Sequence, residues 1–263
     1  MIGFIGLGNM AKAMIGGILN KKLVLPNEII GSAKTKETLK YCEEIYGIQV
    51  CEDNAAAAAQ SDILFLAVKP AVLSAAAAQI KDAIKEDTVV VSIAAGKTLA
   101  DLEKMFEKPV KLVRCMPNTP ALVSAGCTAI TGGERVSREE LDRVKQLLSS
   151  FGTVQEVAEG LMDAVVGVSG SSPAYVFLFI EALADGAVKA GMPRKQAYEM
   201  AAQSVLGSAK LLLETGKHPG ELKDMVCSPG GTTIEAVQVL EEMGFRSAVM
   251  AAVEACVEKS RNL

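Results

Sequence analysis

Tryptophan is absent, and histidine occurs once, at His218. A single histidine excludes any His-rich metal site. It would also leave a Ser-His-Asp triad dependent on a residue in "KHPGEL", a turn into a helix where a surface or capping role fits better. Aromatic residues make up only 4% of the chain although hydrophobic residues make up 50%, so the core is aliphatic and Ala-rich and favours closely packed helices. The six cysteines (42, 51, 115, 127, 227 and 256) form no C-x-x-C pair. They read as reduced, mostly buried thiols of the cytoplasm. No long basic run occurs, the net charge is -4 and the pI is about 5.3, which argues against a nucleic-acid partner.

Long uncharged stretches are also scarce. Residues 164–180, "AVVGVSGSSPAYVFLFI", approach membrane-spanning length. Gly-Ser-Ser-Pro interrupts them and Asp163 and Glu181 bound them, so the expectation is a buried helix start and no membrane. The chain enters an apolar strand at Ile2 without a basic n-region, which predicts no secretion signal. A mean hydropathy of +0.28 is high for a soluble monomer, and the surplus is assigned to a subunit interface.

What is present begins with "MIGFIGLGNMAKAMIGGIL". A short strand, Ile2 to Ile5, leads into Gly6, Gly8 and Ala11 in the pattern G-x-G-x-x-A, and a helix follows from about Asn9. This is the strand–turn–helix context of a dinucleotide fingerprint. Gly6 allows the tight turn, Gly8 lets a pyrophosphate approach backbone N–H groups at the positive end of the helix, and Ala11 permits close packing. Further apolar strands are predicted at 28–32, 48–51, 63–68, 89–94, 110–115 and 127–131, with helices at 71–84, 99–106 and 139–151, the last opened by a Ser137–Glu140 capping box. Apolar strands separated by helices predict a doubly wound, mostly parallel α/β sheet over residues 1–159.

An NADH site usually carries Asp or Glu after the second strand to hold the ribose hydroxyls. Here "IIGSAKTK" offers Ser32 and Lys34 instead, which suit a 2′-phosphate, so NADPH is favoured with NADH still possible. The loops "AVKP" (67–70) and "AAG" (94–96) follow the fourth and fifth strands, where ligands of open sheets lie. Lys69 is either a charge partner or a solvated loop residue. "RCMPNTP" (114–120) pins Asn118 and Thr119 in a rigid turn that suits a ligand contact or a plain connector.

From residue 160 to 263 the period is helical, at 173–191, 194–216, 220–226, 232–244 and 246–261. Several of these helices are apolar around most of their circumference, and about 100 residues cannot bury such helices alone. Intertwined subunits are expected. Two helix starts share one design. "VSGSSPAYVF" places Ser171 or Ser172 before Pro173 at the first helical position. "CSPGGTTIEAV" places Thr232 as N-cap with Glu235 completing a capping box. Both offer hydroxyls and free N–H groups beside glycine, as a pocket for a small anion would.

Taken in order, "GFIGLGNMA", "FLAVKP", "AAG", "RCMPNTP", "GVSGSSPAY", "HPGELKDMV" and "SPGGTTIEAV" resemble pyrroline-5-carboxylate reductase along nearly the whole chain. Residues 222–241, with Gly231-x-Thr233 inside, look like that family's signature. Ser172 departs from the family's usual glycine. The resemblance implies a Rossmann domain followed by an all-helical dimerisation domain, assembled as a homodimer or a ring of dimers. It implies NAD(P)H-dependent reduction of 1-pyrroline-5-carboxylate to proline, the last step of proline biosynthesis, in the cytoplasm. By matched motif, cofactor contacts fall on Ile5, Gly6, Leu7, Gly8, Asn9, Met10, Ser32, Asn54, Ala67, Val68, Lys69, Pro70, Ala94, Ala95 and Gly96, and substrate contacts on Thr232 and Thr233. In that chemistry the backbone of Gly230 and Gly231 approaches the substrate carboxylate at a helix N-terminus. The Thr233 hydroxyl then meets the ring nitrogen as its charge changes, which makes Thr233 the candidate catalytic residue. Two other readings stand beside it. A hydroxyacid dehydrogenase would need an acid–base Lys or His, and Lys189 and Lys210 have no motif to recommend them. A non-catalytic NADPH-binding regulator would bind cofactor without turnover.

Overall fold

The structure is a computed structural model that describes residues 1–262. Short apolar strands alternate with helices through the first half: β1 (Ile2–Ile5), α1 (Asn9–Asn20), β2 (Ile29–Ser32), α2 (Lys36–Tyr46), β3 (Gln49–Cys51), α3 (Asn54–Gln60), β4 (Ile63–Leu66), α4 (Pro70–Ile80), β5 (Val89–Ser92), α5 (Leu99–Phe106) and β6 (Lys111–Met116). The rest of the sheet is β7 (Gly126–Gly132), α6 (Arg138–Leu148) and β8 (Gly152–Glu156). The eight strands lie in the order β3-β2-β1-β4-β5-β6-β7-β8, and every neighbouring pair is parallel except β6 with β7. The strands β1, β2, β4 and β5 are buried at every position. Helices therefore cover both faces, and their apolar sides close two cores, one around Phe4 and Phe65, the other around Leu66 and Leu73. The rings of Phe4 and Phe65 stack with centroids 4.9 Å apart, tying β1 to β4 at the middle of the sheet.

The strand β8 was not anticipated. It is short and half-exposed (Gly-Thr-Val-Gln-Glu), with too few apolar residues to signal a strand. It is held by a parallel ladder with β7, from the Gly126–Gly152 pair to the Ile130–Glu156 pair, and the first pair is so close that a Cβ at residue 152 would lie 2.0 Å from the Gly126 carbonyl oxygen. The predicted capping box at Ser137 is formed, with the Glu140 N–H donating to Ser137 Oγ and the Ser137 N–H to the Glu140 carboxylate.

Asn118 ties its turn to two neighbouring segments. Its Oδ1 accepts from the Cys127 N–H at 2.8 Å and its Nδ2 donates to the Ser169 carbonyl at 3.0 Å. Ser169 is the carbonyl that Pro173, four residues on, cannot satisfy because proline has no N–H. Asn118 supplies the missing donor.

The helical half contains α7 (Met162–Val165), α8 (Ser172–Lys189), α9 (Arg194–Thr215), α10 (Pro219–Val226), α11 (Thr232–Glu242) and α12 (Phe245–Arg261). The chain divides into one unit of Met1–Ser171 with Cys256–Leu263, and a second of Ser172–Ala255. Two expectations are corrected here. The stretch around Gly170–Pro173 is not an open helix start, because α7 passes through a π-helical segment, Val166–Gly170, directly towards α8. The Ser171 N–H is spent on the Val166 carbonyl at 2.8 Å. A π segment ahead of an interior proline relieves the clash of its ring with the preceding turn. Nor is the stretch buried: in the long helical run Glu159–Lys189, whose length and composition would suffice to cross a membrane, only 11% of the most apolar window is buried within the chain.

Within the second unit, Leu213, Met243, Leu178 and Phe177 are 82%, 80%, 68% and 65% exposed. Tyr175, Leu178, Phe179, Leu240, Phe245 and Val249 help line an almost wholly apolar groove of about 530 Å³. All six cysteines are free, but only Cys42 and Cys115 are buried and the other four are partly exposed, so the expectation of mostly buried thiols fails. Burial pushes the thiols of Cys42, Cys51 and Cys115 up, which makes them poor nucleophiles.

Candidate active site

In an open parallel sheet the ligand crevice lies beyond the carboxyl ends of the strands where their order reverses, which here is between β1 and β4. The loops leaving this edge remain hydrogen-bonded one step past the strands. The Gly6 N–H donates to Ser32 O at 3.0 Å, the Ala67 N–H to Ile5 O at 2.9 Å and the Ile93 N–H to Leu66 O at 3.3 Å. The loops beginning at Gly6, Ala67 and Ala94 therefore emerge side by side.

The two fingerprint glycines have different structural reasons. Gly6 has φ +94°, and a Cβ there would sit 2.8 Å from the Ala67 carbonyl oxygen. The fold itself requires glycine at this position. Gly8 has φ -74° and is the N-cap of α1, yet no side chain caps the helix and a Cβ would meet nothing within 4 Å. The protein does not use the space in front of Gly8. Most helix starts in this half are capped by a side chain: Thr35 for α2, Asp53 for α3, Thr98 for α5 and Ser137 for α6. The first turn of α1 also carries no acidic residue. Free N–H groups, the positive helix end and an open cradle suit a pyrophosphate, so the residues present fit a dinucleotide.

Beside this turn is a cleft of about 120 Å³ lined by Gly6, Ser32, Ala33, Lys34, Asn54, Val68, Val72, Ala75, Ala76 and Gln79. It brings together Gly6, Ser32, Lys34, Asn54 and Val68 of the predicted set. Ile5, Leu7 and Ala94 are buried, so only their backbones can reach a ligand. Ser32 is fully buried, and its hydroxyl donates to Asn54 Oδ1 at 2.6 Å. Asn9 is exposed and Met10 partly buried in the first turn of α1. Lys69 is exposed as the N-cap of α4, followed by Pro70. Ala95 and Gly96 are half-buried, and Gly96 adopts φ +69°. Neither Lys34 nor Lys69 has an ionic partner among the described residues. The α4 side of the cleft was missed. Val72, Ala75, Ala76 and Gln79 recur at the spacing of one helical face, and that stripe of small residues ending in an amide was the available signal.

In the second unit, the turn before α11 departs from the capping-box reading. The N-cap is Gly231, not Thr232, and no side chain caps it. Glu235 is therefore one position beyond the box. The N–H of the actual N-cap, Gly231, is bonded to Ser228 O at 3.0 Å. Gly230 closes this turn at φ +65°, and a Cβ on Gly231 would lie 2.5 Å from Ser228 Oγ. Thr232 is exposed at the first helical position and Thr233 half-buried at the second. Neither hydroxyl has a hydrogen-bond partner among the described residues. The Ser171 Oγ accepts from Cys256 Sγ at 3.1 Å. His218 caps α10, its Nδ1 accepting from the Gly220 N–H at 3.1 Å. Lys210 pairs with Glu214 at 3.7 Å on an exposed face, and Lys189 ends α8.

The fingerprint glycines give a paired prediction. Gly6→Ala should lower the melting temperature, with strain of about 1–3 kcal/mol from the positive φ and the Ala67 contact. Gly8→Ala should cost less than about 1 kcal/mol of stability but weaken dinucleotide binding by about tenfold or more. Melting curves and calorimetric titration separate the two. A Gly8→Ala variant that binds the dinucleotide as tightly as wild type would contradict this use of the cradle.

Comparison with known proteins gives the family. The family model described as pyrroline-5-carboxylate reductase dimerisation matches residues 159–263, and that described as NADP oxidoreductase, coenzyme F420-dependent, matches residues 1–96. The pyrroline-5-carboxylate reductase of Escherichia coli is 51% identical over 262 residues, covering 100% of this chain and 97% of the relative. Among solved structures, the pyrroline-5-carboxylate reductase of Coxiella burnetii superposes with a TM-score of 0.93 at 34% identity over 99% of this chain and 97% of that one. The Plasmodium falciparum pyrroline carboxylate reductase with NADP bound gives 0.90 at 32% identity with the same coverage. With half its residues shared over its full length, and with both the fingerprint turn and the uncapped α11 start in place, the chain belongs to the pyrroline-5-carboxylate reductase family.

Proposed function

We infer that this chain is an NAD(P)H-dependent reductase that converts the cyclic imine 1-pyrroline-5-carboxylate to L-proline, the last step of proline biosynthesis. The observation that carries the reading is the glycine-capped start of α11, a helix entrance left without a side-chain cap and followed by two unpartnered threonine hydroxyls, in a chain 51% identical to the Escherichia coli enzyme. When bound, the reduced nicotinamide supplies the hydride. The backbone of Gly8 and the first turn of α1 hold the pyrophosphate. Lys34 and Asn54 face the adenosine end, where no acidic side chain follows β2, and this favours NADPH over NADH.

The substrate carries a carboxylate and a ring nitrogen. The free N–H groups of Thr232 and Thr233 at the positive end of α11, beside Gly230 and Gly231, bind the carboxylate. Thr233 Oγ1 hydrogen-bonds the ring nitrogen, holding the C=N bond in one orientation while the charge on nitrogen changes. A cyclic imine is basic enough to arrive protonated, so the chain needs no buried carboxylate–His pair. The hydroxyacid dehydrogenase reading weakens, because Lys210 is an exposed ion-paired residue and Lys189 a helix-terminal one.

The bare apolar helices of the second unit, covered by a dimerisation family model, are the surface a second copy buries, in a homodimer or a ring of dimers. The free cysteines fit the reducing cytoplasm. Light scattering at micromolar concentration should give at least a dimer, and a fully active monomer would overturn this assignment.

Thr232→Ala and Thr233→Ala, made side by side, test the chemistry. Neither hydroxyl caps α11, so both variants should keep stability within about 0.5 kcal/mol. Thr233→Ala should lower kcat/KM by roughly tenfold to a thousandfold, as for one lost transition-state hydrogen bond. The exposed Thr232 should matter less. Wild-type kinetics in Thr233→Ala would remove this threonine from the mechanism.

A further inference from the structure

The cleft beside the fingerprint turn contains a hydrogen-bonded relay that runs in one direction. The Ser32 hydroxyl donates to Asn54 Oδ1 at 2.6 Å, and Asn54 Nδ2 donates to Gln79 Oε1 at 2.6 Å. Ser32 has no further proton to give, and being fully buried it cannot swing into the cleft. Its effect is to fix the Asn54 amide with nitrogen towards Gln79. Gln79, on α4, then has its oxygen occupied, and its nitrogen has no partner among the described residues. Asn54 keeps its second N–H and Gln79 both of its own. All three side chains line the same cleft as Lys34, whose ammonium is unpaired. The polar wall is thus made of donors and positive charge, with no carboxylate among the lining residues.

We propose that Gln79 is a specificity-determining residue: it closes the amide relay and presents N–H donors to the 2′-phosphate of NADPH, so that the chain's choice of phosphorylated cofactor is made on α4 as well as after β2. This rests on the reading of the cleft as the adenosine end of the dinucleotide site. A phosphate monoester brings several acceptor oxygens and a charge near -2 to a wall of donors. A ribose hydroxyl brings one weak acceptor and a proton that finds no free carboxylate. The residue that would reverse the preference is therefore a carboxylate at position 79. It could still accept from Asn54 Nδ2, so the internal relay would survive while the wall changed sign.

The test uses the whole protein and two probes that contain no nicotinamide, adenosine 2′,5′-bisphosphate and AMP, with dissociation constants from calorimetry and melting temperatures for each variant. Wild type should bind the bisphosphate more tightly. Gln79→Glu should keep its melting temperature and its AMP affinity within about threefold, and lose about tenfold or more in bisphosphate affinity from like-charge repulsion at the rim. Gln79→Met, similar in shape but without donors, should lose a smaller part of the same preference. A bisphosphate-to-AMP ratio in Gln79→Glu within about threefold of wild type would overturn the role of Gln79 and leave the dinucleotide site standing. Wild type that binds neither probe nor NADPH would overturn the site reading itself, and this role with it.

Discussion

A helix that begins without a capping side chain leaves N–H groups with no partner, and something outside the helix has to satisfy them. This chain supplies Thr, Asp or Ser caps at α2, α3, α5 and α6, and a histidine cap at α10. At α1 and α11 it places glycine instead. Both starts present backbone donors at the positive end of a helix with no side chain in the way. The helices α4 and α9 also start without a side-chain cap, behind Lys69 and Pro193, but α1 and α11 are the two that open on glycine, and the proposed function needs two anions held, a dinucleotide pyrophosphate and a small carboxylate.

The rest of the first unit keeps one of those entrances in position. Stacked Phe4 and Phe65 join β1 to β4, and the hydrogen bonds from Gly6, Ala67 and Ile93 extend the sheet into its loops. Gly6 turns the chain where no other residue fits, which aims α1 at the open edge. With the cofactor supplying the difficult chemistry, the protein's task reduces to binding, orientation and a favourable charge field. That explains why a chain with one histidine, spent on capping α10, can still be an enzyme.

Much of this was legible in the residues. Continuous apolar strands between helices specified a parallel sheet, and Gly-x-Gly-x-x-Ala after β1 specified the turn. The helices of the second half kept their periods to within a residue or two. The misses have physical causes. The strand β8 is held by its ladder with β7, a pairing that starts at two closely apposed glycines and that no local pattern announces. Pro173 looked like a helix start, but the missing N–H is made good by Asn118, 55 positions earlier, and by a π segment. The Thr232–Glu235 spacing matched a capping box, yet the Ser228–Gly231 turn moved the helix start back by one residue, which leaves Glu235 one position beyond the box. Gln79 escaped notice because a lone glutamine on an exposed helix face has no significance until Asn54 is seen beside it.

The central claim is that the uncapped start of α11 recognises a carboxylate while Thr233 meets the ring nitrogen. The most direct measurement follows NADPH oxidation by the wild-type protein with 1-pyrroline-5-carboxylate and with 1-pyrroline, the same imine without the carboxylate. The account predicts turnover of the first to proline, and for the second a kcat/KM lower by about a hundredfold or more, as expected when a charge-assisted anchor is lost. Equal kcat/KM for the two imines, or no NADPH oxidation with either, would contradict it.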